Sequence, residues 1–131
     1  MRYKTPLPSL FVMAIILTAV LLPGSSLPDN PGIPGLDKIV HFLMFFGLAA
    51  AIHLDFDIRG RKKLVYCIGF GLLFAVATEL LQILVDGRAS EMLDAIADCS
   101  GFLFGLWFRK GLAKTLVRPA DRIMAFLRIQ K

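Results

Sequence analysis

At 131 residues and 56% hydrophobic, the chain exceeds the roughly 45–50% apolar content of ordinary soluble domains. Its mean hydropathy is +0.69, and the excess is gathered into four long runs, which argues against barrel strands of about 9–11 alternating residues. The formal net charge of +5 does not indicate a nucleic-acid partner, because the basic residues flank apolar runs and form no separate folded surface.

Residues 5–28 carry no charge around the core "LFVMAIILTAVLL". Arg2 and Lys4 ahead of that core give it the look of a signal peptide, but no A-x-A-like cleavage site follows. The expectation is a retained first helix at about residues 7–23, although cleavage stays an alternative. "LLPGSSLPDNPGIPG" then reads as an extended, partly rigid connector.

The second run gives a helix at about residues 36–54, ending in "IVHFLMFFGLAAAIHL". Asp37 and Lys38 stand at its start, where Asp37 can cap the helix or complement its dipole. His41 follows one turn on, and His53 near the far end is expected at the surface.

A third helix is expected over about residues 64–85, whose only acid is Glu79. If it ends near Val85, Glu79 lies about 9 Å in from that end, with Gln82 one turn farther out on the same face. The short connector "DGRAS" makes the fourth helix, at about residues 91–108, an antiparallel neighbour of the third. In it Asp94 and Asp98 are four residues apart on one face. Ser90 is a candidate cap. Arg88 is a candidate partner for Asp86, Glu91 or Asp94. Gly101 and Gly105 form a small-xxx-small pair suited to close helix contact. Trp107 and Phe108 suit a membrane-interface belt before Arg109 and Lys110.

The tail, residues 109–131, is expected on the cytoplasmic face. After Pro119, "ADRIMAFLRIQK" sets Ile123, Phe126 and Leu127 near one face of an interfacial amphipathic helix, against the alternative of a disordered basic tail. Cys67 and Cys99 fall at different depths on the third and fourth helices, so two small buried thiols are expected rather than a disulfide, and their spacing carries no metal signal.

These elements make an all-α fold: a polytopic membrane protein with four transmembrane helices in an antiparallel bundle plus the C-terminal interfacial amphipathic helix, a single domain over residues 1–131. Of its 15 Lys and Arg residues, 13 fall at the N-terminus, in "RGRKK", or after Trp107; only Lys38 and Arg88 do not. Short loops rich in Lys and Arg stay cytoplasmic, so both termini are expected inside. The basic ends would also attract anionic headgroups, which makes membrane lipid the first partner.

On that topology, Asp37, Lys38, His41, Glu79, Gln82, Arg88, Asp94 and Asp98 converge near the outer surface. A lipid-facing charge at mid-helix costs at least about 2.5 kcal/mol, so these groups are expected to line an outward-facing notch, with Glu79 meeting Asp98. One reading is a binding site for a polar or anionic headgroup or small envelope molecule. Lys38 and Arg88 would hold anionic oxygens, and Glu79, Gln82 and Asp98 would take hydroxyls or amides, with Asp37 and Asp94 completing the lining. A second is an intramembrane enzyme with His41, Glu79 and Asp98 as catalytic groups: His41 a general base oriented by Asp37, and Glu79 a general acid. In a variant of it, a divalent metal on His41, Glu79 and Asp98 activates water. The one-histidine set is generic, so neither a metal nor any other cofactor is assigned. A third is a structural subunit or small transporter component, in which a homodimer could enclose a conduit.

The run "DKIVHFLMFFGLA" followed by "TELLQILVDGRASEMLDAIADCSGFLFG" resembles the VanZ-like family of small bacterial membrane proteins. The family's Asp-Lys pair and His match Asp37, Lys38 and His41; its Glu-x-x-Gln matches Glu79 and Gln82; its Arg and Asp match Arg88 and Asp94; its glycine pair matches Gly101 and Gly105. Where the family often has Asn four residues after that Asp, this chain has Asp98, which replaces an amide by a second acid and favours a protonated carboxyl pair. The resemblance covers roughly residues 36–108. It implies a multi-pass protein of the bacterial inner membrane and cell envelope, in a family whose founding member is associated with low-level teicoplanin resistance. It supplies no reaction.

Overall fold

The computed structural model describes residues 6–26, 32–87, 91–108 and 111. Among them the fold is all-helical: α1 (Leu7–Leu21), a single 3-10 turn (Gly24–Ser26), α2 (Leu36–Asp55), α3 (Arg61–Gln82) and α4 (Met92–Trp107). The expected tail helix, together with Arg88 and Ser90, lies outside the described residues.

Helix ends differ from expectation for local reasons. α3 begins at Arg61 rather than Leu64, because Gly60 takes the backbone angle φ 92° and lets the chain turn into the helix ahead of Lys62 and Lys63. It stops at Gln82, where residues 83–87 turn toward Gly87 at φ 72°. Glu79 is therefore about 4.5 Å from its helix end rather than about 9 Å. Asp37 does not cap α2; Gly35 holds that position at φ 73°, which leaves Asp37 as a first-turn acid facing the helix dipole.

The connectors and side chains fix the directions. Ser9 in the first turn of α1 donates its backbone N–H to Asp55 Oδ2 in the last turn of α2 at 2.7 Å, so these helices run antiparallel. Asp55 thereby satisfies one of the amides that a helix start leaves without an internal partner. At the other end Gly24 N donates to the Asp86 carbonyl at 3.2 Å, bringing the connector after α1 against the one after α3.

α4 packs most extensively on α2, not on its sequence neighbour α3. The reason is the glycine pair. A Cβ on Gly101 would collide with the Phe42 carbonyl, and one on Gly105 would sit 2.7 Å from Ala49 Cβ. Absent side chains let the two backbones close together. On the α3 side, Gly71 receives the Phe102 ring. Phe45, Leu48, Ala49, Ala75, Phe102 and Leu106 form the centre of the apolar core, joined by Ile16 and Val20 from α1.

The outside is apolar too. Phe11, Leu73 and Tyr66 are 68%, 70% and 76% exposed. α2 and α3 are long and apolar enough to cross a membrane, yet only 22% of the most apolar window of α3 is buried inside the protein. A core helix of a soluble fold would hide that surface. α1 and α4, with 15 and 16 residues, span only about 22–24 Å against a hydrocarbon core of about 30 Å. Four full-length spans were expected; among the described residues two helices reach that length.

Candidate functional site

The polar interior lies where α2 and α4 start and α3 ends. His41, Glu79, Gln82, Asp94 and Asp98 are all more than nine-tenths buried, and Asp98 is completely so. His41 and Asp98 are each within two turns of the start of their helices, and Glu79 is one turn from the end of its own, so three elements deliver them to one level.

Two linked clusters occupy this end. In the inner one, His41 Nδ1 stands 3.0 Å from Asp98 Oδ1 and 4.0 Å from Glu79 Oε1. One ligand-type atom from each of the three residues falls within 4.8 Å of the other two. Glu79 and Asp98 are thus brought to within 4.8 Å of each other, and His41 joins both. Thr78 lies against Asp98, and its one hydroxyl proton can go either to that carboxylate or to the Ala75 carbonyl 2.8 Å away. Asp98 Oδ2 and Gln82 Oε1 are buried with no hydrogen-bond partner among the described residues.

In the outer cluster, Lys38 Nζ contacts Asp37 Oδ2 at 2.7 Å, Glu91 Oε2 at 2.8 Å and Asp94 Oδ1 at 2.9 Å. An ammonium has three donors, and each meets a carboxylate here. Lys38 was expected to grip anionic oxygens from a ligand; it is saturated by the protein's own acids. Asp37 was expected to orient His41; it bonds Lys38, and Asp98 takes the histidine instead.

Glu91 is the member that spacing did not bring into the site. It sits at the N-cap position of α4, three residues before Asp94, where the two carboxylates share a face, so the signal was present. Thr78 was also passed over; one residue before Glu79, it carried no separate signal.

Three other expectations change. His53, expected at the surface, is half-buried in the last turn of α2. Cys67 and Cys99 are free thiols, as expected, but only partly buried. The cavity that stands out, about 570 Å³ and apolar, lies at the opposite end of the bundle, between Leu10, Met13, Ile52, Phe56, Tyr66 and Phe70. None of the expected site residues lines it.

No curated protein and no solved structure matches the chain. The VanZ/LLP1 family model matches residues 5–114, a stretch that takes in all four helices and both polar clusters, and the chain belongs to the VanZ/LLP1 family.

Proposed function

We propose that this is a cell-envelope protein of the bacterial cytoplasmic membrane, with both termini inside and four helices crossing. In this reading it binds the hydroxyl- or amine-bearing part of an envelope molecule at its outer polar end. Family membership supports the envelope setting, and the apolar exterior around a polar interior supports burial in lipid. The short α1 and α4 are accommodated by local thinning of the bilayer and by the flanking connectors.

One observation carries the choice of ligand: Lys38 has its three donors on three acids. The described outer end therefore offers acceptors in excess, and it suits a partner that brings N–H or O–H groups rather than phosphate. Such a partner would displace Lys38 from one carboxylate or approach the buried acceptors Asp98 Oδ2 and Gln82 Oε1.

The test uses nanodiscs that contain phosphatidylethanolamine and phosphatidic acid in equal amounts, with native mass spectrometry of the lipid retained on release. Ethanolamine lipid should be enriched, and Asp94→Asn should reduce that enrichment. Preference for phosphatidic acid, whose headgroup is phosphate alone, unchanged by Asp94→Asn, would overturn the reading.

Acid–base chemistry at His41 is a second reading, favoured by the 3.0 Å pairing with Asp98. A carboxylate at Nδ1 fixes the tautomer and leaves Nε2 as the reactive nitrogen. With envelope lipid as substrate, His41→Asn should abolish turnover while lipid retention persists; loss of both together would exclude this reading.

A further inference from the structure

The two polar clusters are built alike, with one difference. In the outer one, three carboxylates surround an ammonium at 2.7–2.9 Å. In the inner one, two carboxylates and an imidazole nitrogen lie within 4.8 Å of one another, but no lysine or arginine pairs with Asp98 among the described residues. Asp98 Oδ2 and Gln82 Oε1, in residues only 0% and 2% exposed, have no hydrogen-bond donor among the described residues. A buried acceptor without a donor costs about 1–3 kcal/mol, and an unpaired buried charge costs more. Asp98 Oδ2 and the neighbouring Gln82 Oε1 are thus acceptors left open in a place closed off from solvent.

We propose that His41 Nδ1, Glu79 and Asp98 bind one divalent transition-metal ion of the zinc or manganese class inside the bundle.

The donor set favours that class. Imidazole nitrogen is a poor match for calcium or magnesium, which take oxygen ligands, whereas one nitrogen with carboxylates suits zinc, manganese or iron. The spacing is also right. Ligands about 2.0–2.2 Å from a tetrahedral ion stand roughly 3.3–3.6 Å from one another, and the observed separations of 3.0 Å and 4.0 Å bracket that value. An ion between the three groups would replace the His41–Asp98 hydrogen bond with two coordinate bonds and leave Nε2–H as a donor. Gln82, one turn beyond Glu79 on the same face of α3, could orient a ligating carboxylate or a bound water through its amide. The Lys38 group does not compete, because its ammonium already stands where an ion would sit.

This inference does not rest on headgroup binding. Metal is therefore measured on delipidated protein, purified with chelator and then dialysed separately against Zn²⁺, Mn²⁺ and Co²⁺. Elemental analysis should find one ion per chain for at least one of the three, and the Co²⁺ form should show visible d–d absorption. Asp98→Asn and His41→Gln should each weaken binding at least about tenfold, with helix content unchanged by circular dichroism. Glu91→Gln, which touches only the Lys38 group, should keep the ion. Glu79→Gln provides a further isosteric variant if either of the first two misfolds. Wild-type protein that takes up none of the three ions stoichiometrically would overturn the proposal and leave a protonated His41 as the cation of the cluster. Retention in Asp98→Asn with loss in Glu91→Gln would also overturn it, by moving the ion to the outer group.

Discussion

Asp98 on α4 meets His41 on α2 at 3.0 Å, and one residue beyond His41 the Phe42 carbonyl lies where a Cβ on Gly101 would have to go. The polar contact and the glycine contact are successive steps of one interface. The close approach that Gly101 permits is what lets two short polar side chains reach each other between helices. Removing either should be felt at the other.

Asp98→Ala leaves the His41 ring without its partner in a site closed to water. Interhelical hydrogen bonds in membranes average about 0.6 kcal/mol, and stranding a buried polar group adds to that, so a loss of roughly 1–2 kcal/mol is expected. Asp98→Asn keeps an acceptor of the same shape and should lose less than half as much. Reversible unfolding in mixed detergent micelles gives both values. Equal losses would mean that the charge, not the hydrogen bond, holds the pair.

The glycines allow a sharper comparison, because not all of them are crowded. Gly101→Ala drives a methyl into backbone that cannot move aside as a side chain can, and Gly105→Ala crowds Ala49 and the Phe46 carbonyl. Overpacking of this kind costs typically about 1–3 kcal/mol. A Cβ added to Gly69 on α3 would meet nothing within 4 Å, so Gly69→Ala should be neutral or stabilising by up to about 1 kcal/mol through helix propensity. The same unfolding assay should rank Gly101→Ala below wild type and Gly69→Ala at or above it.

That comparison also marks what was legible in the sequence. Long uncharged runs set the helices to within about three residues, because an apolar stretch has few other ways to satisfy its backbone in lipid. That His41, Glu79 and Asp98 share one end of the bundle followed from counting along each helix, although the count set Glu79 too far from its helix end because α3 stops at Gln82. Rotation about the helix axis did not follow from counting. The short connector between α3 and α4 suggested their pairing, but the small residues at positions 101 and 105 made α2 the main partner of α4. The ion-pair partners of Lys38 were not legible for a related reason: Glu91 and Asp94 are 53 and 56 residues away in the chain, and only the α2–α4 approach brings them to it.

The three acids on Lys38 should not be equivalent. The Asp94 side chain is 8% exposed, while those of Asp37 and Glu91 are 49% and 52% exposed. Exposed ion pairs contribute little and are screened by salt, whereas a sheltered one is screened much less. Asp94→Asn should therefore lower the thermal midpoint in detergent more than Asp37→Asn or Glu91→Gln. Raising the salt concentration should shrink the smaller two effects and leave most of the Asp94 effect. Three equal, salt-insensitive losses would mean that the triad acts as a single closed unit.

Orientation decides which compartment the polar clusters face. Of the 15 basic residues, all but Lys38 and Arg88 fall at the two termini or in "RGRKK", and the positive-inside rule then puts the loop from α2 to α3 in the cytoplasm and the loop from α3 to α4 outside. Cys67 and Cys99 form no disulfide, so both can be replaced by Ala to give a background for single reporters. Lys62→Cys and Asp86→Cys place thiols at two exposed positions at opposite ends of α3. In spheroplasts, a membrane-impermeant maleimide should label Asp86→Cys at once and Lys62→Cys only after permeabilisation. The opposite pattern would turn the bundle over and put His41, Glu79 and Asp98 near the cytoplasmic face. An envelope ligand would then have to come from the inner leaflet, and the acceptor-rich end would face the cell's own metal and amine pools.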